Sequence, residues 1–277
     1  MKPEELDARQ SALATLARAA GELARRYFLD RDRLAVTMKG AQDYLTAADT
    51  AVEKFIVERL AALFPKDAVL GEEGGRHGAG DTIWVIDPID GTENFAHGIG
   101  HFCVSIAFVT GREVQLGALA APMYDELYLA RRGRGAMLNG RKMRASATVT
   151  MARSVIELGW SARRPAATYT ALIEAVLAAG ATFRRVGSGA LGLAYVADGR
   201  TEGYCELHIN SWDSLAGILL VEEAGGWVND FLAGEGLMQG NEIIAVAPGI
   251  RDALIDATGI GRGSMGGKVE QPRRRKK

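Results

Sequence analysis

The sequence predicts a layered α+β / α/β sandwich with a mainly antiparallel first sheet and a second α/β half. Three observations carry this. From Phe102 to Met123, strand-like segments follow one another with no helix between them: "FCVSIAFV", a turn at Gly111, then "EVQLGALAAP". Strands joined in this way pair antiparallel. After Thr150, strand and helix patterns alternate instead. The chain has 277 residues, 48% hydrophobic and 24% charged, which is enough apolar material for an ordinary globular core. The change of pattern near Thr150 divides it into an α+β half over residues 1–150 and an α/β half over 151–258. A Gly-, Lys- and Arg-rich tail over 259–277 is expected to be disordered.

Taken in order, Leu6, Leu13, Leu16, Ala20, Leu23 and Tyr27 recur at helical intervals and mark one face of a long first helix. "MKGAQDYLTAAD" reads as a turn-rich segment. A second helix runs from about Thr46 to Leu63 and is ended by Pro65. "AVLGEEGG" is a short strand opening into an acidic, glycine-rich loop, and Ile83 to Ile86 form a buried strand. The antiparallel run follows, and "ELYLARRGRGAMLNG" adds a strand and a glycine turn. In the second half, "ATYTALIEAVLAAG" is a helix, "ATFRRVG" a strand, "ALGLAYVADG" a short helix and "GYCEL" a strand. "SLAGILLVEEAGG" is a helix closed by glycines, and "WVNDF" and "EIIAVA" are strands.

Charge excludes some partners. Of the 33 Lys and Arg, five form the final "RRRKK"; setting those aside leaves 28 basic against 34 acidic residues. Such a body has no electrostatic footprint for nucleic acid. Cys103 and Cys205 are far apart, sit in apolar surroundings and show no metal-ligand spacing, as expected of buried thiols in a reducing cytoplasm. The charged start "MKPEELDARQ" carries no signal-peptide pattern, and no apolar run suits a membrane span.

The chemistry lies in the acids. Glu72 and Glu73 in "LGEEGG", Asp87 and Asp90 in "IDPIDGT", and Asp213 in "INSWDSLAG" share one context, a strand end opening into a loop or helix. Asp43 and Asp49 in "QDYLTAAD" lie at or just before the second helix. Any one of these alone reads as a helix cap or a solvated loop. Together, beside Val, Ile and Trp, they need pairing, because a carboxylate taken out of water must be paired or hold a metal. No Arg or Lys lies close in sequence to Asp87 and Asp90, so a hard, oxygen-seeking cation such as Mg²⁺ is the better partner. Pro88 stiffens the link between the two aspartates, and Gly91 lets the backbone approach a ligand. A helix opening at Gly91 and Thr92 would offer free N–H groups to a phosphate.

"DPIDGTENF", "WDSLAGILLVEEAGG" and "LGEEGG" resemble the inositol monophosphatase family, within the fructose-1,6-bisphosphatase-like group of Mg²⁺-dependent, lithium-sensitive phosphatases. The likeness runs from about Met38 to Ala247 with the motifs in order. It implies the sugar-phosphatase fold, an α-β-α-β-α sandwich, and a cytoplasmic homodimer that hydrolyses a small phosphate ester, first of all inositol monophosphate, using two or three Mg²⁺ ions. It further implies that Glu72, Asp87 and the Ile89 carbonyl hold one ion and Asp87, Asp90 and Asp213 a second, with Glu72 helping a third. Gly91 and Thr92 would hold the phosphate, and Thr92 paired with Asp43 would orient the attacking water. Asp90, Asp213, Gly189 and Glu206 would face the substrate, Glu206 through an alcohol hydroxyl. Tyr44 stands where the family usually has a small or aliphatic residue, Glu93 replaces a second threonine, and "CELHINSWD" is one local version of a variable stretch; Gly189 falls where the family often has alanine.

Other readings remain open. Fructose 1,6-bisphosphate or another sugar or nucleotide phosphate would suit the same acids. "VGSGALG" contains G-x-G-x-x-G at Gly187, Gly189 and Gly192, which would suit a dinucleotide-binding oxidoreductase, but that reading leaves the acids unexplained. The tail would suit a non-catalytic regulator that binds RNA or an acidic protein.

Overall fold

Along the strand Thr82–Asp90, Ile83 and Val85 face one core while Trp84 and Ile86 face another. Successive strand side chains point to opposite faces, so a strand apolar on both faces must lie between two packed layers. The computed structural model of the chain describes residues 2–31, 36–40 and 43–264, and of 36–40, 43–45 and 264 it describes the backbone.

Among the described residues, eight strands form one sheet in the order Arg141–Lys142, Gly135–Leu138, Glu126–Arg131, Glu113–Ala121, Cys103–Thr110, Thr82–Asp90, Ala68–Gly71, Gly75–His77. All neighbours are antiparallel except Ala68–Gly71 with Thr82–Asp90. One face carries the helices Pro3–Leu29 and Ala47–Leu63, which bury Leu13, Leu16, Val52 and Ile56 against Trp84, Ile106 and Phe108. The other face packs on the helices Gly189–Ala197 and Ser211–Glu223. These two helices are buried on nearly every side, as a middle layer must be. Gly217 allows them to close up: a Cβ there would lie 2.5 Å from that of Leu193.

Beyond them lies a five-stranded sheet in the order Thr182–Arg184, Val155–Leu158, Gly203–Ile209, Asn241–Val246, Trp227–Val228, parallel on one side of Gly203–Ile209 and antiparallel on the other. The helices Ala166–Ala178 and Arg251–Thr258 cover its outer face. The layers therefore run α-β-α-β-α.

Two expectations change. The segment read as turn-rich contains an antiparallel hairpin, Val36–Gly40 with Asp43–Thr46, formed by strands too short to show a clear alternation. The strand read as ending at Ile86 continues to Asp90. The side chain of Tyr44 and the tail from residue 265 lie outside the described residues. Both cysteines are buried and free, and no described helix is long and apolar enough to cross a membrane.

Candidate active site

Asp87 and Asp90 are three residues apart, so a regular strand would turn them to opposite faces. Here Asp87 pairs with Ser105 and Asp90 with Cys103, three steps against two on the neighbouring strand. This is a β-bulge. Pro88, which has no ladder N–H to lose, and Ile89 share the place opposite Val104. Ile89 consequently joins the outer apolar core with Trp84 and Ile86, and both aspartates turn inward, towards the middle layer. The Ile89 N–H donates to Asp87 Oδ1 at 2.9 Å and fixes the first carboxylate.

Gly91 follows with φ of 100°, a left-handed conformation that suits glycine. A Cβ there would also lie 2.9 Å from the His101 carbonyl and 3.2 Å from that of Gly187. Gly91 opens the short helix Thr92–Ala96. Thr92 Oγ1 lies 2.9 Å from the Ile89 carbonyl and 3.2 Å from Asp49 Oδ1, either of which can accept its proton.

The carboxylate of Asp49 meets Thr92, a contact the sequence reading did not foresee; the side chain of Asp43, which that reading paired with Thr92, lies outside the described residues. Asp49 is in the first turn of its helix, where Oδ2 accepts from the Thr46 N–H at 2.8 Å and the Thr46 hydroxyl at 2.6 Å. That leaves Oδ1 for Thr92. The signal was in the sequence: Thr46 and Asp49 form a capping box.

Asp90 meets the start of the helix Gly189–Ala197, accepting from the Ser188 hydroxyl, from the Ala190 N–H at 2.8 Å and from the Gly189 N–H at 3.3 Å. The G-x-G-x-x-G segment is thus occupied by a carboxylate of the chain itself. Its preceding strand, Thr182–Arg184, is also an edge strand separated from Gly203–Ile209 by Val155–Leu158. Both facts count against a dinucleotide fold. Asp213 comes from the helix Ser211–Glu223, where Asn210 N–H donates to its Oδ2 at 3.1 Å.

Asp87, Asp90 and Asp213 each bring an oxygen to one point, all within 4.8 Å of one another. Such crowding is electrostatically unfavourable for the bare protein. Burial, then the charges of Glu72, Asp213 and Asp90, hold the Asp87 carboxyl well above its ordinary range. Burial and Asp213 push Asp90 up to about 7, and burial raises Asp213. Burial, then the charges of Asp90 and Asp87, push the nearby Cys103 thiol well above its ordinary range. An all-oxygen, electron-rich cluster fits a hard divalent cation.

Asp90 and Asp213 of the cluster line a cavity of about 640 Å³, together with Glu72, Thr92, Gly189 and Glu206. On the far wall, Tyr204 Oη donates to Glu206 Oε2 at 2.5 Å; the two are strand neighbours on one face. Burial first, with Asp213 and Asp90, pushes Glu206 up to about 8. Two glycines make room for this pair. A Cβ at Gly159 would lie 2.1 Å from Glu206 Oε2, and one at Gly189 would lie 3.0 Å from Tyr204 Oη and 2.7 Å from Ile209 Cδ1. Gly189 therefore has a packing cause. At the rim, Glu93 pairs with Arg185 at 3.2 Å.

Sequence reasoning missed Glu157, Ser188 and Tyr204. Glu157 lines the cavity, is buried, accepts from the Val186 N–H, and is pushed up to about 8 by burial and then Asp90. Each is a single residue in an otherwise apolar or glycine-rich run, with no local motif to mark it.

The inositol monophosphatase family model matches residues 5–258. The Nus factor SuhB of Xylella fastidiosa is 42% identical over 217 residues, 78% of this chain and 79% of that protein. The crystal structure of the extragenic suppressor protein suhB from Bartonella henselae is similar at 38% identity and a TM-score of 0.85, covering 91% of this chain and 98% of that one. The Thermotoga maritima IMPase is similar at 33% identity and a TM-score of 0.81, covering 91% and 96%. A match of that length, on a fold whose bulge gathers the acids, places the chain in the inositol monophosphatase family, a family of divalent-metal-dependent phosphatases.

Proposed function

We propose that the protein hydrolyses a small phosphate monoester, with inositol monophosphate the first candidate, and that Mg²⁺ is the cation it uses. The observation that carries this is the convergence of Asp87, Asp90 and Asp213, two of which, Asp90 and Asp213, line a cavity shared with Glu72, Thr92 and Glu206. Glu72, Asp87 and the Ile89 carbonyl would hold one ion, Asp87, Asp90 and Asp213 another, and Glu72 would support a third. When bound, such ions stabilise the leaving oxygen and make water a better nucleophile. The chain does the rest. Asp49 holds Thr92, whose hydroxyl orients the attacking water. The backbone of Gly91 and Thr92 holds the phosphate, and Asp90, Asp213, Gly189 and Glu206 face the alcohol part of the ester. Glu206 makes its hydrogen bond to a hydroxyl of that alcohol part.

The test is phosphate release in Mg²⁺ from inositol monophosphate, fructose 1,6-bisphosphate and a nucleotide phosphate. Preference for the first supports the reading, and preference for either of the others moves the substrate within the same family chemistry. The homodimer and inhibition by Li⁺ belong to the same reading. The name Nus factor, carried by curated relatives, favours one second reading, a binding role beside catalysis.

A further inference from the structure

Helix Ala47–Leu63 contributes nothing to the cavity wall, yet one of its faces reaches the site twice. Asp49 and Glu53 are one helical turn apart and point the same way. Asp49 meets Thr92. Glu53, 6% exposed, accepts from the backbone N–H of Glu73 at 2.9 Å through Oε2 and of Gly74 at 2.6 Å through Oε1. Those amides directly follow Glu72. On the other side, the Glu72 N–H donates to the Ile86 carbonyl at 3.2 Å, one residue before Asp87. The backbone of Glu72 is thus held from both directions, by the strand that carries Asp87 and by a buried carboxylate from a helix about twenty residues earlier in the chain.

The glycines of "LGEEGG" fit around this carboxylate. A Cβ at Gly71 would lie 2.5 Å from Glu53 Cδ, and one at Gly74 would lie 2.8 Å from Glu53 Oε1 and 2.9 Å from His77 Nε2. Gly74 is on an exposed turn with no positive φ, so its own conformation does not demand glycine; the Glu53 carboxylate and the His77 ring beside it do.

We infer that Glu53 is a positioning residue for the metal site: its carboxylate clamps the Glu73 and Gly74 amides and thereby fixes Glu72 against Asp87. The inference rests on the reading that Glu72 is a metal ligand. Groups that orient a ligand from behind are typically worth about 10–100-fold in metal affinity.

The probe is Mn²⁺ binding to the purified protein without substrate, read from the electron paramagnetic resonance signal of the free ion. Glu53→Ala is expected to weaken Mn²⁺ binding by about 10–100-fold and to speed hydrogen exchange at the Glu73 and Gly74 amides. Gly74→Ala, which pushes on the same carboxylate from an exposed turn, is expected to weaken binding several-fold, and it decides the matter should Glu53→Ala fail to fold. In a Glu72→Gln background, Glu53→Ala should add no further loss. Variants that bind Mn²⁺ as the wild type does, or a further loss in the Glu72→Gln background, would overturn the inference. A wild-type protein that binds no Mn²⁺ would overturn the metal reading, and the inference with it.

Discussion

The two walls of the cavity are built on different principles. On the first wall, Asp90, Gly91 and Thr92, with Asp87 beside Asp90 in the carboxylate cluster, come from six consecutive positions. Their geometry is set locally, by one bulge and one left-handed glycine. On the second wall, Glu157, Gly189, Glu206 and Asp213 come from two strands and two helices, and only packing of the middle layer brings them together. The difference teaches where constraint lies. In the proposed reading the first wall handles charge, which every phosphate ester shares, and a fixed local motif suffices. In the same reading the second wall lends Asp213 to the cation cluster and otherwise meets the variable part of the substrate; its shape depends on single residues such as Gly159 and Gly189 that make room for the Tyr204–Glu206 pair.

The largest effect should come from the first wall. Asp90→Asn removes a charge from the cluster while nearly keeping the shape, and it should cost at least about a hundredfold in turnover, roughly 2.7 kcal/mol, equally on every ester. A folded variant that keeps more than about a tenth of the wild-type rate would break the comparison at its strongest point.

A smaller and selective effect belongs to the second wall. Glu206→Gln should change hydrolysis of a hydroxyl-bearing ester by about 1.5–3 kcal/mol, the scale of a hydrogen bond involving a charged group, and should spare a featureless aryl phosphate. Steady-state rates on the two substrates measure this, and equal losses would remove Glu206 from the specificity role.

The effect with the least bearing on turnover concerns stability alone. Glu157 has its carboxyl pushed up to about 8 in the fold, above the ordinary range near 4.3. The folded state therefore binds more protons than the unfolded chain between those values, and this residue's contribution to stability is lost as pH rises from about 4.5 to about 8. Compared in EDTA, Glu157→Gln should melt less steeply with pH than the wild type across that window, with the gap widest near pH 8. Parallel curves would mean that Glu157 is not held protonated.

The same contrast explains what could be read from the sequence. "DPIDGTENF" and "WDSLAG" carried the acids in plain view, because a local motif keeps its residues together along the chain. Even there, Pro88 read as a rigid turn, whereas it sits in a bulge within a continuing strand; bulges depend on the register of the neighbouring strand. The contact of Asp49 with Thr92 went unread although the capping box at Thr46 and Asp49 marked the acid that sits in the first turn of the helix. Glu53, Glu157 and Tyr204 had no such mark. The backbone partners of Glu53 and Glu157 lie 20 to 29 residues away in sequence and are chosen by tertiary packing, whereas Tyr204 meets Glu206, a neighbour on its own strand.

The most direct test of the central claim, that inward-turned carboxylates form a cation site for phosphate-ester hydrolysis, is phosphate release after exhaustive chelation followed by Mg²⁺ titration. The account predicts no turnover in EDTA, full recovery with Mg²⁺, and no recovery in Asp90→Asn at the same Mg²⁺ concentrations. Full activity of the wild type in EDTA would contradict it.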